Sequence, residues 1–138
     1  MILNSLEKIR AYFSAERFVC ENGIVIEDAA AGYAKLRLNL TERHRGAFGP
    51  VSRSVLFTLA DFAAAPAAQF GCAPGESVSF DVKISFAAPC AGPVLTAEAK
   101  RLRRCGHLDF YRVEIRDSAG GLSAVAAVTA FCQTGETI

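Results

Sequence analysis

The sequence predicts an α+β domain in which a curved antiparallel sheet wraps around one buried helix. The segment Ser54 to Phe70 is apolar nearly all round, two strand-like runs precede it, and four follow it. A helix that is apolar on every side must be covered on every side, and a curved sheet is the simplest cover. With 138 residues, the chain 1–138 fits a single domain.

A short amphipathic helix and a hairpin are predicted before this segment. From Ser5 to Glu16, apolar residues recur at helical spacing behind the N-cap candidates Asn4 and Ser5. Two extended runs then flank Gly32, and the second, Tyr33 to Leu40, alternates apolar with polar residues. This alternation predicts a hairpin with one face toward water.

The central helix is bounded by turn-forming residues, and so are the strands after it. A polar, Gly-rich loop from Thr41 to Pro50 precedes the helix, which we expect to begin near Ser52 and to end before Gly71 and Pro74. Glycines and prolines then separate four strand-like runs: Ser77–Phe86, Val94–Arg104, Leu108–Asp117 and Leu122–Cys132.

Composition and charge exclude several classes of function. A formal net charge of +1 does not suit a nucleic-acid-binding protein. The five cysteines are scattered, odd in number and without metal-ligand spacing, which is typical of free thiols in a cytoplasmic protein with no metal site. The N-terminus lacks the pattern of a signal peptide, and the apolar segment is short for a membrane span and contains polar residues.

Asp61 is the only charged residue between Arg53 and Glu76. Burying an unpaired carboxylate in an apolar helix costs several kcal/mol, so a chain that keeps one usually has a use for it. We therefore expect Asp61 to be the catalytic residue. The alternative is a structural acid that is hydrogen-bonded to loop amides.

The loop and helix also carry a recognisable motif. Residues 46–61 read Gly-Ala-Phe-Gly-Pro-Val-Ser-Arg-Ser-Val-Leu-Phe-Thr-Leu-Ala-Asp. This stretch resembles Asn-x-x-Gly-x-Val-His-Gly-Gly-x-Leu-Phe-x-Leu-Ala-Asp, the pattern of hotdog-fold acyl-CoA thioesterases of the phenylacetate-pathway type, within the 4-hydroxybenzoyl-CoA thioesterase-like superfamily. Further matches at 82–86, 110–111 and 117–120 extend the resemblance over essentially the whole chain. Four motif positions differ, because this chain has Gly46, Ser52, Arg53 and Ser54 in place of the Asn, His, Gly and Gly.

The resemblance implies a hotdog domain, a catalytic acid at Asp61, a small-molecule acyl-CoA substrate and no cofactor apart from the coenzyme A of that substrate. It also implies a homo-oligomer, a dimer or a dimer of dimers, whose site draws on two subunits. Thioester hydrolysis needs a carboxylate that activates water or attacks directly, together with donors for the oxyanion. The backbone N–H groups of Arg53 and Ser54, free at the positive end of the helix, are the predicted donors.

Substrate-binding positions follow from the motif and from the helical wheel. Thr58 shares a helix face with Asp61, and its hydroxyl either lines the same pocket or bonds to the backbone one turn earlier. The residues expected to bind the acyl group are Phe48, Gly49, Val51, Phe57, Thr58 and Phe62.

Two basic clusters complete the list of candidates. Arg101, Arg103 and Arg104 are candidates for binding the coenzyme A phosphates, although a solvated strand edge explains them equally well. His44, in the loop between two arginines, is expected to be a surface residue.

Three functions compete on this sequence. The first is hydrolysis of a medium-chain or aromatic acyl-CoA thioester. The second is a non-catalytic hotdog protein that binds acyl-CoA or a lipid-like ligand. The third is a hotdog dehydratase or hydratase, which would need His44 and Asp61 to face one acyl chain.

Overall fold

The computed structural model describes residues 1–47, 49–90 and 92–136, with side chains described up to Thr134 in the last range. A 3-10 helix, Glu42–His44, precedes the central helix. The five strands form one antiparallel sheet in the order β1-β2-β4-β5-β3. The elements are α1 Leu6–Phe13, α2 Arg17–Glu21, β1 Ile24–Ala30, β2 Tyr33–Asn39, α3 Arg53–Gln69, β3 Ser77–Phe86, β4 Val94–Asp117 and β5 Leu122–Glu136.

The extended element β4 folds back on itself near Gly106. Arg101 Nε lies 2.7 Å from Asp109 Oδ1, whereas eight residues of straight strand would separate the two backbones by about 26 Å. At its far ends, the Ser118 hydroxyl bonds both the N–H and the C=O of Val94. Gly106 lies between the two arms with φ +61, a conformation that favours glycine. The first arm pairs with β2 and the second with β5. The two arms correspond to the two separate strand-like runs that the sequence predicts, Val94–Arg104 and Leu108–Asp117.

Helix α3 packs its small and branched residues against the inside of the sheet. The Ser52 hydroxyl accepts a hydrogen bond from the Ser54 N–H at 3.2 Å and caps the helix, which begins beside Ser52 as predicted. The buried residues of α3 include Leu56, Leu59, Ala60, Phe62, Ala63, Ala64, Ala67 and Ala68.

The prediction that α3 is covered on every side is wrong along one stripe. Ser54 and Phe57 are exposed, and Thr58, Asp61 and Ala65 are only half-buried. These five residues recur at three- and four-residue spacing and therefore lie on one face of the helix. We call them the open stripe of α3.

The N-terminal helix is also shorter than the sequence suggests. It ends at Phe13 rather than Glu16, and a second helix, α2, begins at Arg17. The Ser14 hydroxyl donates to the Ala11 carbonyl at 2.7 Å. Such local side-chain bonds compete with helix propagation, which accounts for the break.

A charged cluster joins the two arms of β4. Asp109, almost fully buried, accepts hydrogen bonds from Arg101 Nε at 2.7 Å, from Arg101 Nη2 at 3.0 Å and from the Tyr111 hydroxyl at 2.7 Å. Burial, together with the bond to Asp109, raises the pKa of Tyr111. A Cβ built on Gly32 would come within 2.9 Å of Arg101 Nη1, so the β1–β2 turn needs glycine to pass this cluster.

Two further observations concern the part of the chain that the structure describes. None of its helices is both long and apolar enough to cross a membrane. All five cysteines are free thiols.

Removing Arg101 tests the energetic weight of the charged cluster. We expect Arg101→Met to lower the free energy of unfolding by about 3 kcal/mol or more, because Asp109 would stay buried without its cation. Arg112→Met, which breaks the exposed Arg112–Glu114 pair, should cost less than about 1 kcal/mol. Urea unfolding of both variants measures the difference, and equal losses would contradict a structural role for Arg101.

Candidate active site

Asp61 lies on the wall of a cavity of about 360 Å³ between α3, the N-terminal helices and β3. Two features of the fold open this space. Ala64, Ala65 and Ala68 leave room along α3, and β3 approaches the helix with its small side chains Ser77 and Ser79. The other lining residues are Tyr12, Phe13, Glu16, Phe18, Val19, Phe57, Thr58, Phe62, Gln69, Val78 and Ala130.

Among the described residues, one side chain donates a hydrogen bond to the carboxylate of Asp61. The Ser79 hydroxyl donates to Oδ1 at 3.0 Å. Within the described ranges, no residue donates a hydrogen bond to Oδ2. The expectation of a fully buried, unpaired acid is therefore wrong in both respects, because Asp61 is half-buried and has a partner on β3. The structural alternative, an acid bonded to loop amides, does not match the observed partner either.

Ser79 is a site residue that the sequence reasoning missed. Ser77 and Ser79 alternate along β3 with the exposed Val78 and Phe80. That alternation indicates which side chains point toward the helix. It does not indicate which residue of α3 they meet, since Ser79 and Asp61 are 18 residues apart in the chain.

Aromatic side chains form much of the cavity wall. Phe13 and Phe62 make an edge-to-face contact, with ring centroids 5.2 Å apart. Phe57, Thr58 and Phe62, three of the predicted substrate-binding residues, line the same cavity as Asp61. This wall suits an apolar group.

The remaining predicted substrate-binding residues do not join this cavity within one chain. Phe48 lies outside the described residues. Gly49 is in the loop before α3, where its carbonyl accepts a hydrogen bond from Arg45 at 3.0 Å. Val51 lines a separate cavity of about 260 Å³, together with Leu56 and Phe86.

The predicted oxyanion donors are at the start of α3. The Arg53 guanidinium lies over the Phe86 ring, 5.0 Å from its centroid, so this side chain points toward the end of β3. As the first residue of the helix, Arg53 has a backbone N–H with no intrahelical acceptor. The Ser54 N–H already donates to Ser52, which lowers its value as a predicted donor.

Asp61 and these donors are far apart in one chain. Eight residues separate Arg53 from Asp61, which is a rise of about 12 Å along the helix axis. Groups that act on one carbonyl must both lie within about 3 Å of it. A single chain therefore cannot bring both to one thioester.

Thr58 follows the second of its two predicted alternatives. Its hydroxyl donates to the Ser54 carbonyl at 2.8 Å, one turn earlier. Its side chain still lies between the Asp61 cavity and an adjacent cavity of about 230 Å³ at the start of α3. The adjacent cavity is also lined by Arg43, Arg45 and Ser54.

His44 is buried, with 2% of its surface exposed, and the expectation of a surface residue is wrong. Its Nδ1 accepts a hydrogen bond from the Thr41 N–H at 2.9 Å, so its Nε2 carries the proton and donates to the Asn22 carbonyl at 2.7 Å. Both ring nitrogens are engaged in holding the loop to the end of α2. The arrangement that a dehydratase needs, His44 and Asp61 facing one chain, is not formed.

The three predicted phosphate-binding arginines differ in their surroundings. Arg101 is engaged with Asp109 and Tyr111. Arg104 donates to the Thr134 carbonyl at 2.8 Å, and Arg103 is exposed. None of the three lines the Asp61 cavity.

The architecture is that of the hotdog fold, a curved antiparallel sheet around one long helix, and comparison with solved structures agrees. A mutant of the phenylacetic acid degradation protein PaaI from Thermus thermophilus is 24% identical, covering 83% of this chain and 97% of its own, with a TM-score of 0.76. The PaaI protein of E. coli is 21% identical, covering 93% and 92%, with a TM-score of 0.78. Zebrafish thioesterase superfamily member 2 is 21% identical, covering 93% and 98%, with a TM-score of 0.81.

No protein-family model matches the chain, and no curated protein matches it in sequence. At sequence identities of 24% or less, the structural similarity establishes the fold alone. The resemblance found in the motif is confirmed at that level.

A substitution of His44 separates a structural from a catalytic histidine. We expect His44→Ala to lower the free energy of unfolding by about 2 kcal/mol or more, because Asn22 and Thr41 lose their buried partner. Turnover per folded molecule should stay within about twofold of the parent. Thermal unfolding and a thioester assay on the folded fraction check both points. A stable variant that has lost turnover would reverse the assignment.

Proposed function

We propose that this protein hydrolyses acyl-CoA thioesters with a medium-chain or aromatic acyl group, using Asp61 as the general base. The proposal is supported by the hydrogen bonding and position of the Asp61 carboxylate. One oxygen is oriented by Ser79, and the other has no hydrogen bond from the described residues, on the wall of an aromatic cavity. A carboxylate oxygen that is free to accept a proton, on the wall of a largely apolar cavity, is suited to act as a general base.

The reaction needs no group beyond a base and an oxyanion site. Water attacks the thioester carbon while Asp61 takes one of its protons. The tetrahedral intermediate collapses, the C–S bond breaks, and its electron pair leaves with sulfur. The proton held by Asp61 passes to the thiolate, which gives the carboxylic acid and free coenzyme A and restores the carboxylate.

The oxyanion site is proposed to come from a second copy of the chain. The distance of about 12 Å between Arg53 and Asp61 in one helix requires it. Strand β3 supports the proposal, because it is an edge of the sheet and exposes 63% of Val78 and 61% of Phe80. Unprotected apolar edges are uncommon in monomers, and pairing of two β3 edges covers them. The assembly is a homodimer or a dimer of such dimers.

The side chains that replace the two motif glycines are compatible with this role. The donor at Arg53 is a backbone N–H, which the substitution of glycine does not remove. The Arg53 guanidinium stacks on Phe86 and so does not fold over the helix terminus.

For the coenzyme A phosphates, we propose the exposed Arg103 together with Arg104, the less exposed of the two. Arg104 Nε is buried without a partner in the described part of the chain. Arg101 contributes little, because its charge is neutralised by Asp109.

A second candidate function is ligand binding without hydrolysis. It is favoured by the loss of four motif residues at Gly46, Ser52, Arg53 and Ser54. This candidate predicts thermal stabilisation by acyl-CoA with no release of thiol across a broad panel of thioesters.

Asp61→Asn tests the proposed base. The amide keeps the shape and the hydrogen bond from Ser79 but accepts no proton, so we expect kcat to fall about 100-fold or more with little change in KM. Free-thiol release from medium-chain and aromatic acyl-CoA measures it. Asp28→Asn, which makes the same change on the exposed face of β1, is the matched control. Equal activity of the two variants would rule out Asp61 as the base.

A lysine on the β3 edge tests whether a second copy of the chain completes the site. We expect Phe80→Lys to convert the assembly to monomers and to reduce hydrolysis at least about tenfold, because a lysine on the edge blocks strand pairing. Val25→Lys places the same charge on β1, the other edge of the sheet, and should change neither property. Light scattering coupled to gel filtration gives the mass of each variant. A fully active Phe80→Lys monomer would refute the shared site.

A further inference from the structure

The Asp61 cavity has a second polar end, formed by Gln69 and Ser77. Gln69 is the last residue of α3 and 3% exposed, and its Oε1 accepts a hydrogen bond from the Ser77 N–H at 2.9 Å. Both residues line the cavity. Because Oε1 takes the backbone donor, the amide orientation is set and its NH₂ group remains. Within the described ranges, that NH₂ group donates to no acceptor.

The Ser77 hydroxyl is also unsatisfied. Its Oγ is buried and has no hydrogen-bond partner among the described residues. Ser77 and Ser79 are two residues apart on β3, so their side chains leave the same side of the strand, toward α3. The Ser79 hydroxyl donates to Asp61, whereas the Ser77 hydroxyl has no partner in the described part of the chain. A buried polar group without a partner costs about 1–3 kcal/mol, and it needs an explanation.

The two polar ends are separated by an apolar stretch of defined length. Ser77 and Ser79 lie about 7 Å apart along the strand. Two strand residues contain six backbone bonds, so an extended chain of about six carbons covers this distance. Ala64, Ala65 and Ala68, which lie between Asp61 and Gln69 along α3, also line the cavity.

The charge of the cavity constrains what binds at the far end. Asp61 and Glu16 both line it, and no lysine, arginine or histidine is among its described lining residues. A carboxylate at the far end of the acyl group would be repelled by Asp61 and Glu16, with no cation among the described lining residues to balance it. A neutral hydrogen-bond acceptor, such as a hydroxyl or carbonyl oxygen, would instead satisfy the Gln69 NH₂ group and the Ser77 hydroxyl together.

We propose that Gln69 and Ser77 form a specificity subsite for a neutral oxygen substituent on about the sixth carbon of the acyl chain, counting the thioester carbonyl carbon as the first. The preferred acyl group is then a hydroxy- or oxo-substituted one rather than a plain alkyl chain. This inference rests on the proposed thioester site at Asp61 and adds the substrate class. A site with unpaired polar groups rejects the ligand that lacks their partner, which is the strongest form of discrimination that binding offers.

The test compares three acyl-CoA substrates of equal chain length: hexanoyl, 6-hydroxyhexanoyl and adipoyl. We expect kcat/KM for the hydroxyl compound to exceed that for hexanoyl-CoA by about tenfold or more, with adipoyl-CoA the poorest. In Ser77→Ala the ratio of kcat/KM for 6-hydroxyhexanoyl-CoA to kcat/KM for hexanoyl-CoA should fall to about twofold or less. The variant should unfold no more easily than the parent, because it removes a group that has no partner.

Ser123→Ala is the matched control. The Ser123 hydroxyl is likewise buried without a partner among the described residues, but it is on β5 and does not line this cavity. Its loss should leave the substrate preference unchanged. A preference that survives in Ser77→Ala, or that disappears equally in Ser123→Ala, would overturn the subsite.

Binding measurements separate this inference from the proposed reaction. The thioether analogues of hexanoyl-CoA and 6-hydroxyhexanoyl-CoA cannot be hydrolysed, and calorimetry gives their Kd values for the parent and for Ser77→Ala. A preference for the hydroxyl analogue that depends on Ser77, without turnover of any thioester, would reject hydrolysis and keep the subsite. Hydrolysis with equal affinity for both analogues and equal kcat/KM for both substrates would reject the subsite and keep hydrolysis.

Discussion

The structure depends on the need to cover α3, a helix with almost no polar surface of its own. The sheet supplies most of that cover, since α3 contacts all five strands and Leu56, Leu59 and Ala63 are buried. One stripe stays open, and the single acid of the helix lies on this stripe. The incomplete wrapping therefore determines both where a cavity forms and which charged residue of α3 faces it. An acid elsewhere on the circumference of α3 would be buried among alkyl groups at a cost of several kcal/mol.

The position of Asp61 along α3 matters as well, because the proposed base and the proposed oxyanion donor are at different heights on the helix axis. The unbonded amide at the helix start and the carboxylate near its middle are about 12 Å apart. In the proposed dimer, two-fold pairing of chains along the exposed edge of β3 would bring the start of one helix toward the middle of the other. In that dimer, the exposed Val78 and Phe80 lie on the strand that pairs, and the same pairing places Asp61 and the oxyanion donor on different chains. Assembly and chemistry are coupled in this account, and neither is explained well by one chain alone.

Local features were predictable from the sequence, and long-range contacts were not. The N-cap at Ser52 and the reversal of β4 at Gly106 follow from short-range rules of capping and turns. The bond between Ser79 and Asp61 joins residues on different elements, which no periodicity encodes. The burial of His44 depends in the same way on Asn22, at the distant end of α2. The open stripe was not predicted, because the hydrophobicity of a helix shows that it must be covered. It does not show how far around the helix a five-stranded sheet extends.

A mixed-dimer experiment tests the divided site most directly. Arg53→Pro removes one backbone N–H at the first helical position, where proline is tolerated, and Ser52 already has the extended conformation (φ −62, ψ 135) that precedes proline. Homodimers of this variant and of Asp61→Asn should both be nearly inactive. After the subunits are exchanged at equal concentration, half of the dimers are mixed, and each mixed dimer has one site with both groups intact. The account predicts recovery of about a quarter of the parent activity. No recovery in verified mixed dimers would contradict it.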